Sequence, residues 1–112
     1  MKVNKLMLAE GPSDYYDPTF RGVLEDHLSY LRNLSTTSMI NVEPSRAYKF
    51  EFDLFSLLNS YNVPPQYQWL IMRMNKMVMP TELKRDMLYL FVPDFTEVEG
   101  IRQAFRTTRS IT

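Results

Sequence analysis

Residues 48–93 constrain the fold most, because the apolar spacing there changes from the period of a strand to that of a helix and back. Tyr48-Lys49-Phe50-Glu51-Phe52 alternates aromatic and charged residues, which predicts a strand with one apolar face. Asp53 stands where a helix N-cap is expected, before an apolar helical run over 54–61. Asn62 suits the left-handed conformation that ends a helix.

A second helix and a second strand follow. Pro65 is preset for a first helical turn, and Asn75 is a plausible C-cap, so residues 65–75 are predicted to be helical. Residues 87–92 are nearly all apolar and stop at Pro93, which predicts a strand covered on both faces. The order from 48 to 93 is therefore strand, helix, helix, strand.

The chain before this segment predicts one long helix and a short strand. Thr19 can cap a helix over Phe20–Asn33, where apolar residues recur at three- and four-residue steps. Residues 39–42 are short, partly β-branched and followed by Glu43-Pro44, which predicts a strand or extended edge. We therefore expect an α+β fold with a single domain over 19–93.

Two flanks complete the predicted organisation. Residues 1–18 are interpreted as an N-terminal arm and 94–112 as a C-terminal tail with a weak helical stripe, both extended unless a partner holds them. Aromatic residues lie in or beside both flanks, and the C-terminal tail also carries three Arg, the residue types enriched in interface anchors. Together with the aromatics of the 65–75 helix, the predicted partner-contact residues are Tyr15, Tyr16, Phe20, Tyr67, Trp69, Arg102, Phe105, Arg106 and Arg109.

Composition disfavours most enzyme and nucleic-acid classes. Thirteen Lys and Arg balance thirteen Asp and Glu, so the chain lacks the positive field that holds a phosphate backbone or an anionic membrane. There is no Cys and one His, His27, which leaves no thiolate site and no imidazole pair for zinc. No apolar run reaches the length of a signal-peptide core or a membrane span. We expect no catalytic residues, metal or cofactor, and neither nucleic acid nor a membrane as a partner.

For three groups of residues, the sequence is consistent with either a packing role or a functional role. His27 lies on the apolar stripe of the first predicted helix, where a packing histidine competes with a ligand or base. Trp69 with Tyr67 suits a core or interface position, or stacking on a sugar ring or a base. The methionines of 72–79 suit core packing or a plastic partner surface, or a soft Cu(I) site.

The segment 48–93 resembles the LysM module. The LysM pattern is a strand entering a Gly-Asp turn, a helix ending in Tyr-Gly-Val, an Asn after the second helix, and a closing Leu-x-Ile-Pro. This chain has Asp53, Tyr61-Asn62-Val63, Asn75 and Leu90-Phe91-Val92-Pro93 at the corresponding places. Phe52 and Asn62 stand where the pattern has Gly, and Val92 stands where it has Ile. The resemblance implies a β-α-α-β core at about 48–93.

The wider chain resembles the small wedge proteins of contractile-tail bacteriophage baseplates. The features that carry this resemblance are an N-terminal helical part followed by a LysM-like segment with Asn59, Pro64-Pro65-Gln66-Tyr67-Gln68-Trp69 and Asn75. It implies a structural virion protein, assembled in the host cytoplasm, that joins other tail and baseplate proteins in a symmetric multi-copy assembly.

The LysM resemblance also implies an alternative from a different functional class. LysM modules bind peptidoglycan and related carbohydrates in a groove between two loops. By resemblance, that groove would be flanked here by Phe52, Asp53, Leu54, Met79, Pro80 and Thr81. Retention on purified cell walls is expected for this alternative but not for the structural role.

Overall fold

The computed structural model describes residues 13–111, and it describes side chains for residues 13–108. Expectations for residues 1–12 of the N-terminal arm and for the Arg109 side chain lie outside these described residues. Within them the chain forms six α-helices and one two-stranded antiparallel sheet, which confirms the α+β class.

Helices account for most of the described chain. In chain order the elements are α1 (Pro18–Asp26), α2 (Leu28–Asn33), β1 (Ser38–Asn41), α3 (Pro44–Lys49), α4 (Leu54–Ser60), α5 (Pro65–Met74), β2 (Tyr89–Val92) and α6 (Phe95–Ile111). Short 3-10 turns cover Ser13–Tyr16 and Pro80–Glu82. Within residues 13–111, no helix has both the length and the apolar character needed to cross a lipid bilayer.

The single helix expected over Phe20–Asn33 is wrong, because the chain breaks at His27 into α1 and α2. His27 Nδ1 donates to the Val23 carbonyl oxygen at 2.7 Å, the oxygen that the His27 amide would bond in an unbroken helix. The His27 amide bonds the Leu24 oxygen instead, at 3.0 Å. The break lets α1 pack on α6 while α2 packs on α5.

The strand predicted at Tyr48–Phe52 is also wrong, because these residues form the end of α3 and the turn after it. Pro44 occupies the first turn of α3, where its fixed φ favours a helix. Helical spacing then buries Ala47 and leaves Tyr48 66% exposed. Phe52 has a φ of 67°, which ends any extended backbone there. A LysM-like strand at this position is therefore absent.

The structure confirms the helices and the cap residues predicted for the central segment. Asp53 caps α4, with its side chain accepting from the Ser56 amide at 3.3 Å. Asn62 has a φ of 62°, the left-handed conformation expected of it. Helix α5 has Pro65 in its first turn and Asn75 at its C-cap, as predicted.

The sheet pairs an early strand with a late one. β1 and β2 are antiparallel, with Met39 opposite Phe91 and Ile40 opposite Leu90. This confirms strands within the two predicted segments, and three helices lie between them in sequence. The expectation that β2 is covered on both faces is wrong, because Leu90 is buried whereas Tyr89 is 46% exposed.

The described flanks are not extended arms. Tyr15 is buried in a 3-10 turn, and the C-terminal segment forms the long helix α6. Phe20 packs between them, its ring centroid 5.6 Å from that of Tyr15 and 5.0 Å from that of Phe105. Both flanks therefore belong to the hydrophobic core, which runs from Tyr15 to Val98 in the described chain.

Candidate functional site

The sheet has an apolar outer face, formed by Met39, Tyr89 and Phe91. Strand alternation directs Ile40 and Leu90 inward and these three side chains outward. Met39 is 54% exposed, and the Tyr89 and Phe91 rings meet edge to face with centroids 5.7 Å apart. Leu88, just before β2, is 72% exposed. An apolar cluster on a paired, rigid strand is typical of a protein interaction surface.

The Asn75 side chain closes the free edge of β2. Its Nδ2 donates to the Phe91 carbonyl at 3.0 Å, and its Oδ1 accepts from the Phe91 amide at 2.8 Å. Both backbone groups of Phe91 point away from β1, as expected for a non-hydrogen-bonded pair with Met39. The backbone groups of Met39 point toward the opposite edge of the sheet for the same reason. Asn75, the C-cap residue of α5, therefore fixes the β2 side of the outer face.

Beside the outer face lies a basic concave region, which we call the Arg32 surface. It consists of two adjoining depressions of about 800 and 380 Å³ that share Arg32, Lys76 and Phe91. Four cationic side chains line it (Arg32, Arg73, Lys76 and Lys84), against the single carboxylate of Asp86. Positive charge therefore borders exposed apolar side chains.

Arg32 itself lacks a counterion within the described part of the chain. Its guanidinium lies 5.4 Å from the centroid of the Phe91 ring, and its buried Nε has no hydrogen-bond partner there. Arg73, by contrast, is paired with Glu25 at 2.5 Å and donates to the Met77 carbonyl at 2.8 Å. What distinguishes Arg32 from the other cations of this surface is a buried donor that has no acceptor among the described residues.

A polar network around Glu99 joins the first described turn to α6. The hydroxyl groups of Tyr15 and Tyr67 both donate to Glu99 Oε2, and Arg102 Nε donates to Oε1 at 3.0 Å. Arg102 also bonds Asp14 at 3.2 Å. Burial and the hydrogen bond to Glu99 raise the pKa of Tyr15. Burial alone would raise the pKa of Glu99, but bonds from Tyr15 and Arg102 outweigh it and lower that pKa.

Most of the predicted partner-contact residues that are described here contact their own chain. Tyr15, Phe20, Tyr67 and Arg102 are buried and have little surface left for a partner. Tyr16 and Trp69 flank the Arg21 guanidinium, which lies 5.6 and 4.8 Å from their ring centroids. Phe105 packs on Phe20, and Arg106 lies 3.7 Å from Asp14.

The two loops assigned to a glycan groove do meet. The Phe52 amide donates to the Leu83 carbonyl at 2.8 Å, which joins the start of α4 to the turn over Pro80–Glu82. Phe52 and Met79 are exposed, whereas Leu54 is fully buried and Asp53 caps its helix. Thr81 is exposed and Pro80 half-buried.

The remaining candidate groups are His27 and the methionines of 72–79. His27 lies half-buried on the wall of a groove between α1 and α6, held by Val23. Met72, Met74 and Met77 are buried in the core, and Met79 is exposed. Within the described residues, no group of three or more His, Asp or Glu side chains is placed to hold a metal ion.

Sequence reasoning missed the outer face and the Arg32 surface. In the run Met87–Val92 the outward-facing and inward-facing positions are both apolar, so the sequence does not show which side chains are exposed. In the predicted Phe20–Asn33 helix the spacing puts Arg32 opposite the apolar stripe, and nothing in the sequence pairs it with Phe91.

In comparisons with known proteins, no family model, curated protein or solved structure matches the chain.

Proposed function

We propose that this chain is a non-enzymatic structural protein that joins neighbouring proteins of a multi-copy assembly through the outer face of its sheet. The observation that carries the proposal is the exposure of Met39 and Tyr89 on a paired strand whose backbone is fixed by Asn75. Apolar side chains on a rigid element lose little conformational entropy when a partner covers them. No catalytic step or cofactor enters this role.

The assembly that we propose is the baseplate of a contractile phage tail, built in the host cytoplasm. The wedge resemblance in the sequence motivates it, and two backbone features support the LysM part of that resemblance. Phe52 and Asn62 have φ values of 67° and 62°, and both stand where the LysM pattern has Gly. The chain also runs from β1 through helices into an antiparallel β2.

Complementation of a phage that lacks this gene tests the role directly. We expect the wild-type chain to restore complete tails and to be present in purified particles in several copies. The double variant Met39→Ser/Tyr89→Ser should fold yet fail to restore tails, because it removes apolar area from the outer face. Tyr48→Ser is the matched control, since Tyr48 is an exposed tyrosine on α3 and belongs to neither strand.

Two outcomes contradict the proposal. One is absence of the chain from purified particles by mass spectrometry. The other is full restoration of tails by the double variant when circular dichroism shows that it is folded.

Binding of a peptidoglycan-type glycan is the second candidate function. It is favoured by the backbone bond between Phe52 and Leu83, which brings an exposed aromatic ring beside the loop of Met79. Such a ring can stack on a sugar. Saturable retention on purified cell walls that is lost in Phe52→Ala but kept in Tyr48→Ser supports this candidate. Absence of retention removes it.

A further inference from the structure

The Arg32 surface combines an uncompensated guanidinium with exposed apolar side chains. Arg32 has no ion-pair partner among the described residues, and its buried Nε lacks an acceptor. Because Nε is closed to solvent, an acceptor brought by a ligand meets the guanidinium at its terminal nitrogens, where a charge-assisted bond stabilises the complex. A carboxylate suits this position because it accepts two parallel bonds from a guanidinium.

Neighbouring charges point to the same ligand chemistry. Lys76 lines both depressions, and Lys84 lines the smaller one, where Asp86 is the only carboxylate among the lining residues. Arg73 contributes little, since Glu25 neutralises it. The surface therefore carries a local positive charge in a chain whose formal net charge is zero. Such a field favours an anionic partner and disfavours a basic one.

The apolar border shows that the ligand is more than a free anion. Leu88 and Tyr89 line the same depression as Lys84 and are among the exposed large apolar residues of the described chain. A small inorganic anion would leave these side chains in water. A peptide segment with alternating acidic and apolar residues would cover them while its carboxylates meet the cations.

We propose that the Arg32 surface binds an acidic segment of a neighbouring protein, with one carboxylate on Arg32 and an apolar side chain on Leu88 and Tyr89. This inference rests on the proposed function and deepens it by naming the chemistry of the partner. The Arg32 stack on Phe91 holds the guanidinium beside the outer face, so both parts of the surface meet the same segment.

A titration with a defined peptide tests the inference on the full chain. The probe is a capped peptide of alternating Glu and Phe, compared with the same peptide carrying Gln in place of Glu. We expect the acidic peptide to shift the Arg32 Nε–Hε and Tyr89 amide resonances saturably, whereas the Gln peptide should bind at least about tenfold more weakly, as loss of a charge-assisted pair predicts. Inorganic phosphate is a third probe.

Variants separate the guanidinium from general electrostatics. Arg32→Gln should weaken the acidic peptide about tenfold, whereas Lys49→Gln should leave its affinity unchanged, because Lys49 lines neither depression. Equal binding by Arg32→Gln, or equal binding of the two peptides, overturns the proposal. Phosphate binding that is as tight as that of the peptide also overturns it, since a small anion would then suffice.

The complementation assay distinguishes failure of this inference from failure of the proposed function. If Met39→Ser/Tyr89→Ser blocks tail assembly while Arg32→Gln supports it fully, the outer face stands and the acidic partner does not. If neither variant affects assembly, both proposals fail. If both variants lose assembly while Lys49→Gln still supports it, the result supports both proposals.

Discussion

The side chain of Asn75 bonds the backbone of Phe91 at both of its polar atoms, as a neighbouring strand would. Nδ2 reaches the carbonyl at 3.0 Å and Oδ1 the amide at 2.8 Å, while Nδ2 also donates to the Ile71 carbonyl at 2.7 Å. One residue therefore ends α5 and holds β2 against it. This contact fixes the position of the outer face relative to the helices.

Asn75→Ala should lower the free energy of unfolding by about 2–3 kcal/mol, because it removes three side-chain bonds and leaves both Phe91 backbone groups without partners. Urea unfolding measures the loss, and amide hydrogen exchange should accelerate at Phe91 before other β2 positions. Asn33→Ala is the control, since Asn33 is exposed and its side chain makes only a 3.5 Å contact with Ser29. An Asn75→Ala chain as stable as the control would show that the strand needs no such support.

Phe52→Gly should be more stable than Phe52→Ala by about 1 kcal/mol. Both variants remove the ring and its contact with Lys84, but only Gly adopts the positive φ of 67° without steric cost. Thermal and urea unfolding of the two variants give the difference. Equal stability of the two would mean that the backbone at this position relaxes to negative φ.

Stability should fall in acid through Glu99. Its pKa is lowered in the folded chain, so its contribution is present above the unfolded pKa of about 4.3 and is lost as pH falls through the folded value. The urea midpoint of the wild type should therefore drop more steeply than that of Glu99→Gln below about pH 5. Parallel profiles for the two proteins would assign the acid sensitivity to other carboxylates.

Gly22→Ala should raise the free energy of unfolding by about 0.5–1 kcal/mol. Gly22 lies within α1, and a Cβ added there meets no atom within 4 Å. Alanine loses less backbone entropy than glycine when the helix forms. Chemical unfolding measures the change, with Ala47→Gly as the reverse control because Ala47 is buried in α3. A Gly22→Ala chain that is less stable than the wild type would contradict the open space at this position.

Local chemistry predicted the central helices well. Asp53, Asn62 and the two prolines 64 and 65 act through their own backbone or nearest turn, so their effect can be read without the tertiary structure. The same holds for Asn75 as a cap. Its second role, at the Phe91 backbone, depends on a residue 16 positions away and has no local signature.

Periodicity alone failed where two patterns compete. At Tyr48–Phe52 the alternation of aromatic and charged residues suits a strand, but Pro44 starts a helix upstream. At His27 the apolar spacing suits a continuous helix, but the imidazole takes the Val23 carbonyl from the backbone. Both failures arise because a single residue changes the local backbone, Pro44 through its fixed φ and His27 through its own hydrogen bond, and a hydrophobic pattern records neither effect.

For a related reason, four of the predicted partner-contact residues are buried in the chain itself: Tyr15, Phe20, Tyr67 and Arg102. Aromatic and Arg residues near chain ends are typical of an interface. Here, however, Tyr15 and Arg102 both donate hydrogen bonds to Glu99 of the same chain. The exposed apolar residues of the sheet include Met39 and Tyr89. Every position of β2 is apolar, so the sequence does not show that Tyr89 is exposed while Leu90 is buried.

The bond between Tyr15 and Glu99 spans 84 positions, and that between Asp14 and Arg102 spans 88. During synthesis, the turn over Ser13–Tyr16 leaves the ribosome long before its partners on α6 do. Tyr15 and Phe20 therefore lack their contacts with Glu99 and Phe105 until α6 has been translated. Closure of so distant a contact is slow relative to helix formation, so this part of the core forms only after α6 has emerged.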